Sequence, residues 1–490
     1  MKHSSFLAGI YLLGCISLSA DLPLGNLSLD DAEQIACEYN KQLLIAKEGT
    51  DQARERKLQA ISRWLPSIHY RGEFKDIAKE ELFLSVFDPL KPFILSHRGY
   101  SSVFELAQPL FSTDLIFNLK SKQIEAEATQ YEQASTLNEL LLAVRQGYYS
   151  VVTQEAALGI ERENIEYLSY ALEQEQKKLE AGSSTTLEVN QSKVAVANAI
   201  SLYYSTLKSL KNARNSFILT LGIDPLLEPQ IHLNTKQIPL NSIPEIALKL
   251  QEVESKYNYL SKTIPSTQDF LKHIDAIENA KSLVLFSEEE VCDYLELAIT
   301  RRPDLRRSQL QIGVAEQNLH EKQGHYLPKI EGYARYSYND EYLGAVPFGS
   351  EKYYWSGGLV LTWNLFDGLL REHEIKEAKS VKQSYRLNYD KHFQKVEVEI
   401  RNGLYQLEEA IMAYLSSSQA VFLAEQAREQ ASDKLAFGRI PPLEYRDSVN
   451  LLLQARNQNN HASFDLIYAY YKLRYSTGAD SFNNQSLKNF

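Results

Sequence analysis

The sequence predicts a mainly α-helical protein with a small β part, written as two tandem copies of helix, strand, strand, long helix and helix. Three observations carry that expectation. A set of residues recurs at a constant spacing in the two halves, two very long runs lack proline, and short aromatic-rich stretches alternate with period two.

The recurrence is clearest in KLEAGSSTTLEVNQSKV (Lys178 to Val194) and KLAFGRIPPLEYRDSVN (Lys434 to Asn450), which lie 256 residues apart. At that offset Arg145, Gly147 and Tyr149 match Arg401, Gly403 and Tyr405, and Gly222 and Asp224 match Gly478 and Asp480. Upstream the offset becomes 262: Ala36, Leu43, Ala53, Leu65 and Pro66 match Ala298, Leu305, Ala315, Leu327 and Pro328. One copy therefore carries extra residues between Ile68 and Phe111, where loops are expected. A fixed period of this kind marks a structural repeat. The expected boundaries are 1–20 for a signal peptide, 21–224 and 290–480 for the repeats, 225–289 for the connection between them and 481–490 for a polar tail.

The amino terminus has a positive Lys2, an apolar run from Phe6 to Leu18 and small residues at Ser17, Ser19 and Ala20. This is the pattern of a secretory signal, too short to span a bilayer as a helix. Leu12-Leu13-Gly14-Cys15 also reads as a lipobox, which would make Cys15 a lipidated amino terminus. Simple cleavage and lipidation both stay open. Cys37 and Cys292 are the remaining thiols, too few for a disulfide scaffold. They are expected as two small buried residues, with a single bridge between them as the alternative.

In the first copy Asp30 to Trp64 is proline-free and helical in composition. In the second, the corresponding helix starts at Arg302-Pro303-Asp304, where Pro303 suits the first helical turn. Leu65-Pro66 and Leu327-Pro328 end these helices. Next comes alternation. Ile68, Tyr70, Gly72 and Phe74 fall on one face of SIHYRGEF, opposite His69, Arg71 and Glu73. Ile330, Ala334, Tyr336 and Tyr338 oppose Glu331, Arg335 and Asn339. Trp355, Leu359, Leu361, Trp363 and Leu365 repeat the pattern in YYWSGGLVLTWNLF. Period two with aromatics predicts strands against an apolar medium, of the length that crosses a bilayer. Tyr100 to Leu110 is read as a strand mainly because its twin is.

Leu115 to Ala181 and Gly368 to Phe437 contain no proline. In the first, Leu137, Leu141, Val144, Tyr148, Val151, Leu158, Ile165, Leu172 and Leu179 keep a heptad rhythm that predicts coiled-coil packing. Each run would stretch roughly 100 Å, twice the expected helices at about Thr186 to Leu221 and Leu443 to Thr477. The interruptions between long and short helix have local reasons. Gly182 and Gly438 suit a left-handed residue after a helix. Thr185-Thr186-Leu187-Glu188 offers a capping box, and Pro441-Pro442 starts a helix where missing amide donors cost little.

These residues resemble the TolC-type outer-membrane efflux proteins, also called outer membrane factors. The resemblance rests on the paired tip motifs, Arg302-Pro303-Asp304-Leu305, the Leu-Pro junctions, Leu221-Gly222 and Thr477-Gly478. It spans nearly the whole mature chain. It implies a homotrimer whose chains each give four strands to one twelve-stranded outer-membrane β-barrel, continuous with a periplasmic α-helical barrel. It implies an exit duct of a tripartite efflux or type I secretion system, opened by docking of a periplasmic adaptor protein and an inner-membrane transporter. Carried over to this chain, the adaptor-contact tips are Gly182, Ser183 and Ser184 in one copy and Gly438, Arg439 and Ile440 in the other. The pore constriction falls on Glu444 and Asp447, three residues apart on one helix face. Helix-dipole stabilisation is the plainer reading of those two acids, and Glu188 at the equivalent spot favours it. Ile440-Pro441-Pro442 departs from the family's usual tip.

Other functions find less support. A net charge of −11 argues against nucleic acid as partner, and no GxxxxGK[ST] loop occurs. Ten scattered histidines without metal spacing, and no Ser/His or Cys/His arrangement, predict no cofactor, no metal and no enzyme. The rival from another class is a non-conducting periplasmic coiled-coil or adhesion protein, which has no use for outward Trp and Tyr on strands. The 225–289 connection, with Pro239, Pro244 and Pro265, is expected to add helices around the waist of the duct.

Overall fold

The computed structural model describes residues 27–76, 81–83, 93–95, 97–226, 232–234, 240, 243–256, 286–343, 346–347 and 353–479. Cys15, the leader, most of the inter-repeat connection and the polar tail lie outside these residues. The elements are α1 (Leu29–Tyr39), α2 (Lys41–Ser62), β1 (Ser67–Asp76), β2 (Glu81–Phe83), β3 (Phe93–Leu95), β4 (His97–Phe111), α3 (Thr113–Glu180) and α4 (Thr186–Leu221). They continue with α5 (Pro244–Lys256), α6 (Glu288–Arg301), α7 (Pro303–Gly324), β5 (Lys329–Leu343), β6 (Val346–Pro347), β7 (Tyr353–Thr362), α8 (Leu370–Ala436) and α9 (Pro442–Ser476). No described helix is long and apolar enough to cross a membrane.

Two expectations are corrected at once. The single helix expected over Asp30 to Trp64 is two helices, broken at Asn40, whose φ and ψ of −65° and 122° are extended. Asn40 makes the break comfortable. Its Oδ1 accepts from the backbone amides of Gln42 and Leu43, and its Nδ2 donates to the Thr220 carbonyl at 2.7 Å. The same break separates α6 from α7 at Arg302, whose guanidinium donates to Glu399 and to the Ser476 carbonyl, each at 3.0 Å. The cysteines are not buried: Cys37 is half-buried, Cys292 is exposed, and both are free thiols.

Contacts divide the chain into two compact units. One comprises Met1–Lys47, Gln133–Pro303 and Phe393–Phe490; the other comprises Glu48–Glu132 and Asp304–His392.

In the first unit, the recurring residues mark where each repeat buries small and apolar side chains. Ala36 and Ala298 are both fully buried, 262 residues apart. Gly222 and Gly478 close α4 and α9 in the left-handed region, at φ 79° and 68°. A Cβ on Gly222 would stand 2.5 Å from the Tyr39 carbonyl oxygen, and one on Gly478 would stand 3.1 Å from Arg301 and Arg302 backbone. Each repeat therefore tucks the end of its last helix against the break in its first pair, and only glycine leaves room. The heptad track expected along α3 holds through Leu141, Val144, Tyr148 and Val151, then fails. Further on, the buried positions are Glu161, Asn164, Leu168, Ala171 and Glu175, while Leu158, Ile165, Leu172 and Leu179 are only half-buried. Apart from Leu168, the buried seam there is polar or small, so apolar periodicity could not follow it. Asn457 donates to Glu161 and Asn460 to the Thr153 carbonyl, both from α9. Arg456 ion-pairs with Glu163 on α3 and with Glu425 on α8.

In the second unit, β1, β4, β5 and β7 form an antiparallel sheet in that order, with β6 extending the β5 edge beyond β7. The register puts Tyr70, Phe104, Tyr336 and Trp355 in one row across all four strands. The adjoining row on the opposite face is His69, Glu105, Arg335 and Ser356, with Arg335 donating to Glu105 at 2.9 Å. One face is thus aromatic and aliphatic and the other polar, as the alternation predicts. The apolar face is exposed: Trp355 is 81% exposed, and Ile68, Phe74 and Leu359 are similarly open. The helices leading into and out of these strands keep the same order. Arg56 on α2 meets Glu125 on α3, Ser121 on α3 meets Asn318 on α7, and Lys382 on α8 meets Glu316 on α7. β7 ends at Thr362, so Trp363 and Leu365, expected on the strand, belong to the connection that follows.

Candidate functional site: the paired helical tips

Both interruptions lie in the first unit, where the chain turns from a long helix into a shorter one. At the first, Gly182 takes φ 71°, which lets the Ser183 amide reach back to the Lys178 carbonyl at 2.8 Å. At the second, Gly438 takes φ 68° and the Arg439 amide reaches the Lys434 carbonyl at the same distance. These bonds satisfy carbonyls that a helix end otherwise leaves bare.

The restarts differ. Thr185 caps α4 in a full capping box. The Glu188 carboxylate accepts from the Thr185 amide and the Ser184 hydroxyl, both at 2.8 Å, and from the Thr185 hydroxyl at 3.0 Å. The Thr185 amide bond, followed by the two hydroxyls, holds the Glu188 pKa below the usual carboxylate value. The Ser184 hydroxyl also lies against Glu175, which is 3% exposed. In α9 the cap is Pro441, which makes no side-chain cap bond, with Pro442 as first helical residue. Glu444 and Asp447 follow, both exposed; the Glu444 amide donates to the Pro441 carbonyl at 3.1 Å, but neither carboxylate has a hydrogen bond or ion pair among the described residues. Their side chains do not serve the helix end as Glu188 does.

The two tips meet. The Lys178 ammonium lies 3.5 Å from the Ile440 carbonyl oxygen. Ala171, Leu435, Ile440, Tyr445 and Val449 form one buried cluster, edged by Tyr167 and Tyr170. Tyr445 packs edge-on to Tyr170, with ring centroids 6.1 Å apart, and burial pushes its phenol pKa up. A cavity of about 140 Å³ lies beside this cluster, with Glu175, Glu188, Pro441, Leu443 and Arg446 among its walls.

The sequence-expected tip residues separate here. Gly182, Ser183, Gly438 and Arg439 are exposed and Ser184 is half-buried, so these remain open to a partner. Ile440 does not: it is 9% exposed, its side chain spent on the cluster with Tyr445. Pro441-Pro442 turn the chain so that this side chain points back between the hairpins. Three apolar residues escaped notice in the sequence: Leu187, Phe437 and Leu443 are 66%, 75% and 51% exposed. Arg439 lies over the Phe437 ring at 5.6 Å. Apolar residues flanking a helix-ending glycine, where no core can cover them, were the available signal. Among the described residues no group of His, Cys, Asp and Glu is arranged to hold a metal ion. The tips present exposed apolar side chains, backbone and two carboxylates without a side-chain partner among the described residues.

Known proteins share this architecture. The chain matches the structure of the CmeC outer membrane channel of Campylobacter jejuni with a TM-score of 0.71 and 13% identity, over 94% of this chain and 88% of that one. It matches the outer membrane protein VceC of Vibrio cholerae with a TM-score of 0.69 and 15% identity, over 92% and 96%. The open-state MtrE outer membrane channel of Neisseria gonorrhoeae matches with 0.65 and 15%, over 92% and 88%. At such identities the likeness is one of fold. No curated protein matches the chain. The outer membrane efflux protein family matches residues 33–222 and 294–479, covering both repeats and most of the chain. The chain therefore belongs to the outer membrane efflux protein family, whose members are channels of the outer membrane rather than enzymes.

Proposed function

We propose that three copies of this chain close one twelve-stranded barrel in the outer membrane, continuous with a periplasmic barrel of helices, and that the assembly is a passive exit duct. The observation that carries this reading is the pair of sheet edges. Among the described residues β1 pairs only with β4 and β7 only with β5, so each is an edge strand with a row of backbone groups unpaired, along a sheet whose apolar face is exposed. Open edges are not tolerated in lipid, and four strands cannot close on themselves. Twelve strands close a barrel wider than the eight-stranded kind that side chains fill. The helical edges support the same closure, since α2 and α8 carry exposed Leu58, Ile61, Val381, Tyr385 and Leu387.

The tips at Gly182 to Ser184 and at Gly438 and Arg439 receive a periplasmic adaptor protein, which couples the duct to an inner-membrane transporter of a tripartite efflux or type I secretion system. Transport energy comes from those partners. Glu444 and Asp447 form the constriction: under three-fold symmetry they place six carboxylates around the opening, attractive to cations and repulsive to anions. Neither side chain is used in a cap, and Asp447 lies beyond the first turn of α9 where the helix dipole would account for an acid such as Glu444.

Recording the purified protein in planar bilayers tests the reading. It predicts cation-preferring conductance that loses its preference in the Glu444→Ala/Asp447→Ala variant. A protein soluble without detergent and silent in bilayers contradicts it.

A further inference from the structure

The connection between β7 and α8 is the one place among the described residues where a non-glycine residue takes positive φ: Gly368 and Leu369 both stand at 72°. A leucine held there is strained, because its Cβ crowds the following carbonyl, and the surroundings must offset that strain. A compact knot does so. Arg371, 7% exposed, ion-pairs with Asp367 at 2.7 Å. Its guanidinium donates to the His325 carbonyl at 3.3 Å and the Leu365 carbonyl at 3.1 Å, and lies 4.6 Å from the centre of the Tyr326 ring. The Trp363 indole donates to the Tyr326 carbonyl at 3.1 Å.

The product of this knot is an apolar projection. Leu365, Phe366, Leu369 and Leu370 are 73%, 76%, 53% and 60% exposed, and Trp363 joins them. The charges of the segment, Asp367 and Arg371, are buried against each other. The first repeat has no counterpart, since Ser112 alone separates β4 from α3 and is buried.

We infer that residues 363–370 form an interfacial anchor that seats in the headgroup–acyl boundary of the membrane. The inference rests on the reading that the sheet crosses that membrane. Three features select lipid as the occupant. The projection continues the exposed apolar face of β7, where Leu359 and Leu361 precede Trp363 and Leu365 at every second position. Its exposed surface is uncharged and carries a tryptophan, the residue whose apolar body and polar N–H suit a membrane boundary. It is also ordered by its own chain. A fluid lipid boundary offers no fixed partners to order a loop, whereas a protein partner does.

The test places an environment-sensitive fluorophore on single introduced cysteines in the full-length Cys15→Ser/Cys37→Ser/Cys292→Ser protein, reconstituted into phosphatidylcholine vesicles. Leu365→Cys and Leu369→Cys report on the anchor, Leu359→Cys on the sheet, and Leu423→Cys, an exposed α8 position in the other unit, serves as control. With acyl chains brominated near the glycerol, the anchor and sheet labels lose about half or more of their emission, as expected for side chains at or below the interface, and Leu423→Cys loses none. Quenching at Leu359→Cys without quenching at Leu365→Cys and Leu369→Cys overturns the anchor alone, as does ready disulfide capture of Leu369→Cys between copies. Absence of quenching at all four positions removes the membrane-crossing sheet and the anchor together.

Discussion

The first tip, at Gly182, and the second, at Gly438, begin from the same backbone device and then use their acids in opposite ways. Both close a long helix with a left-handed glycine and an amide reaching back five residues. In the first, Glu188 is engaged by three donors from Ser184 and Thr185. In the second, proline replaces the capping side chain and leaves Glu444 and Asp447 unengaged. The same offset relates buried Val189 to buried Tyr445, so the second tip also exchanges a small core residue for a large one. A duplicated hairpin has thus diverged into one copy whose acid is held in its own cap and one whose acids stay exposed and uncapped.

The largest effect that separates the tips should come from their cores. Tyr445→Ala empties the centre of the cluster with Ala171, Leu435 and Ile440, and is expected to cost about 3–5 kcal/mol. Val189→Ala should cost only about 1–2 kcal/mol. Denaturant midpoints of the assembled protein, with limited proteolysis at the tips, read this difference; equal costs would show that the second tip is no more tightly packed than the first.

Charge comes next. Glu444→Ala/Asp447→Ala should reduce cation preference severalfold and relieve block by multivalent cations, whereas Glu188→Ala leaves selectivity intact. Reversal potentials in asymmetric salt measure both. A change with Glu188→Ala as large as that with the double variant would dissolve the distinction between the tips.

Capping sharpens the comparison in the other direction. Thr185→Ala should destabilise the start of α4 by about 1 kcal/mol and speed amide exchange there without touching α9. Pro441→Ala should leave exchange in α9 nearly unchanged, because no side-chain cap is lost.

The smallest effect is one of pH. The Glu188 carboxyl is held below its ordinary pKa by the Thr185 amide. Its contribution to folding is therefore complete above the unfolded carboxylate value of about 4.3 and is lost as pH falls through the lower folded value. Amide protection factors at the first tip, exchange rates taken relative to the intrinsic rate at each pH, should fall on acidification through that range, and more than at the second. Parallel profiles at the two tips would show that the capping bonds carry no differential stability.

Much of this was legible in the sequence because glycine and proline act locally. Gly182, Gly438, Pro303 and Pro441-Pro442 fix backbone geometry whatever surrounds them, so the ends of α3 and α8 and the starts of α7 and α9 fall where those residues predict. β1, β5 and β7 were legible because apolar–polar alternation needs no partner to be recognised, whereas β4 was read from its twin and the short β2, β3 and β6 were not foreseen. The failures are tertiary. The break at Asn40 has no proline to announce it; it depends on an amide that reaches Thr220 in the α4 end. The seam along α3 continues through Glu161, Asn164 and Glu175, whose burial is made tolerable by Asn457, Ser184 and neighbours that no heptad count sees. Ile440 reads as a surface residue beside a tip glycine, and is buried because a tyrosine five residues later organises a core there. The Leu369 knot was hidden for the same reason, since its support comes from His325 and Tyr326 in another part of the chain.

The central claim is that one chain cannot complete the duct and that the free edges of β1 and β7 are closed by other copies. Native mass spectrometry of the detergent-extracted protein measures this most directly. The account predicts a single dominant species of three chains that persists on dilution; a monomer as the stable form, with its sheet edges left open, would contradict it.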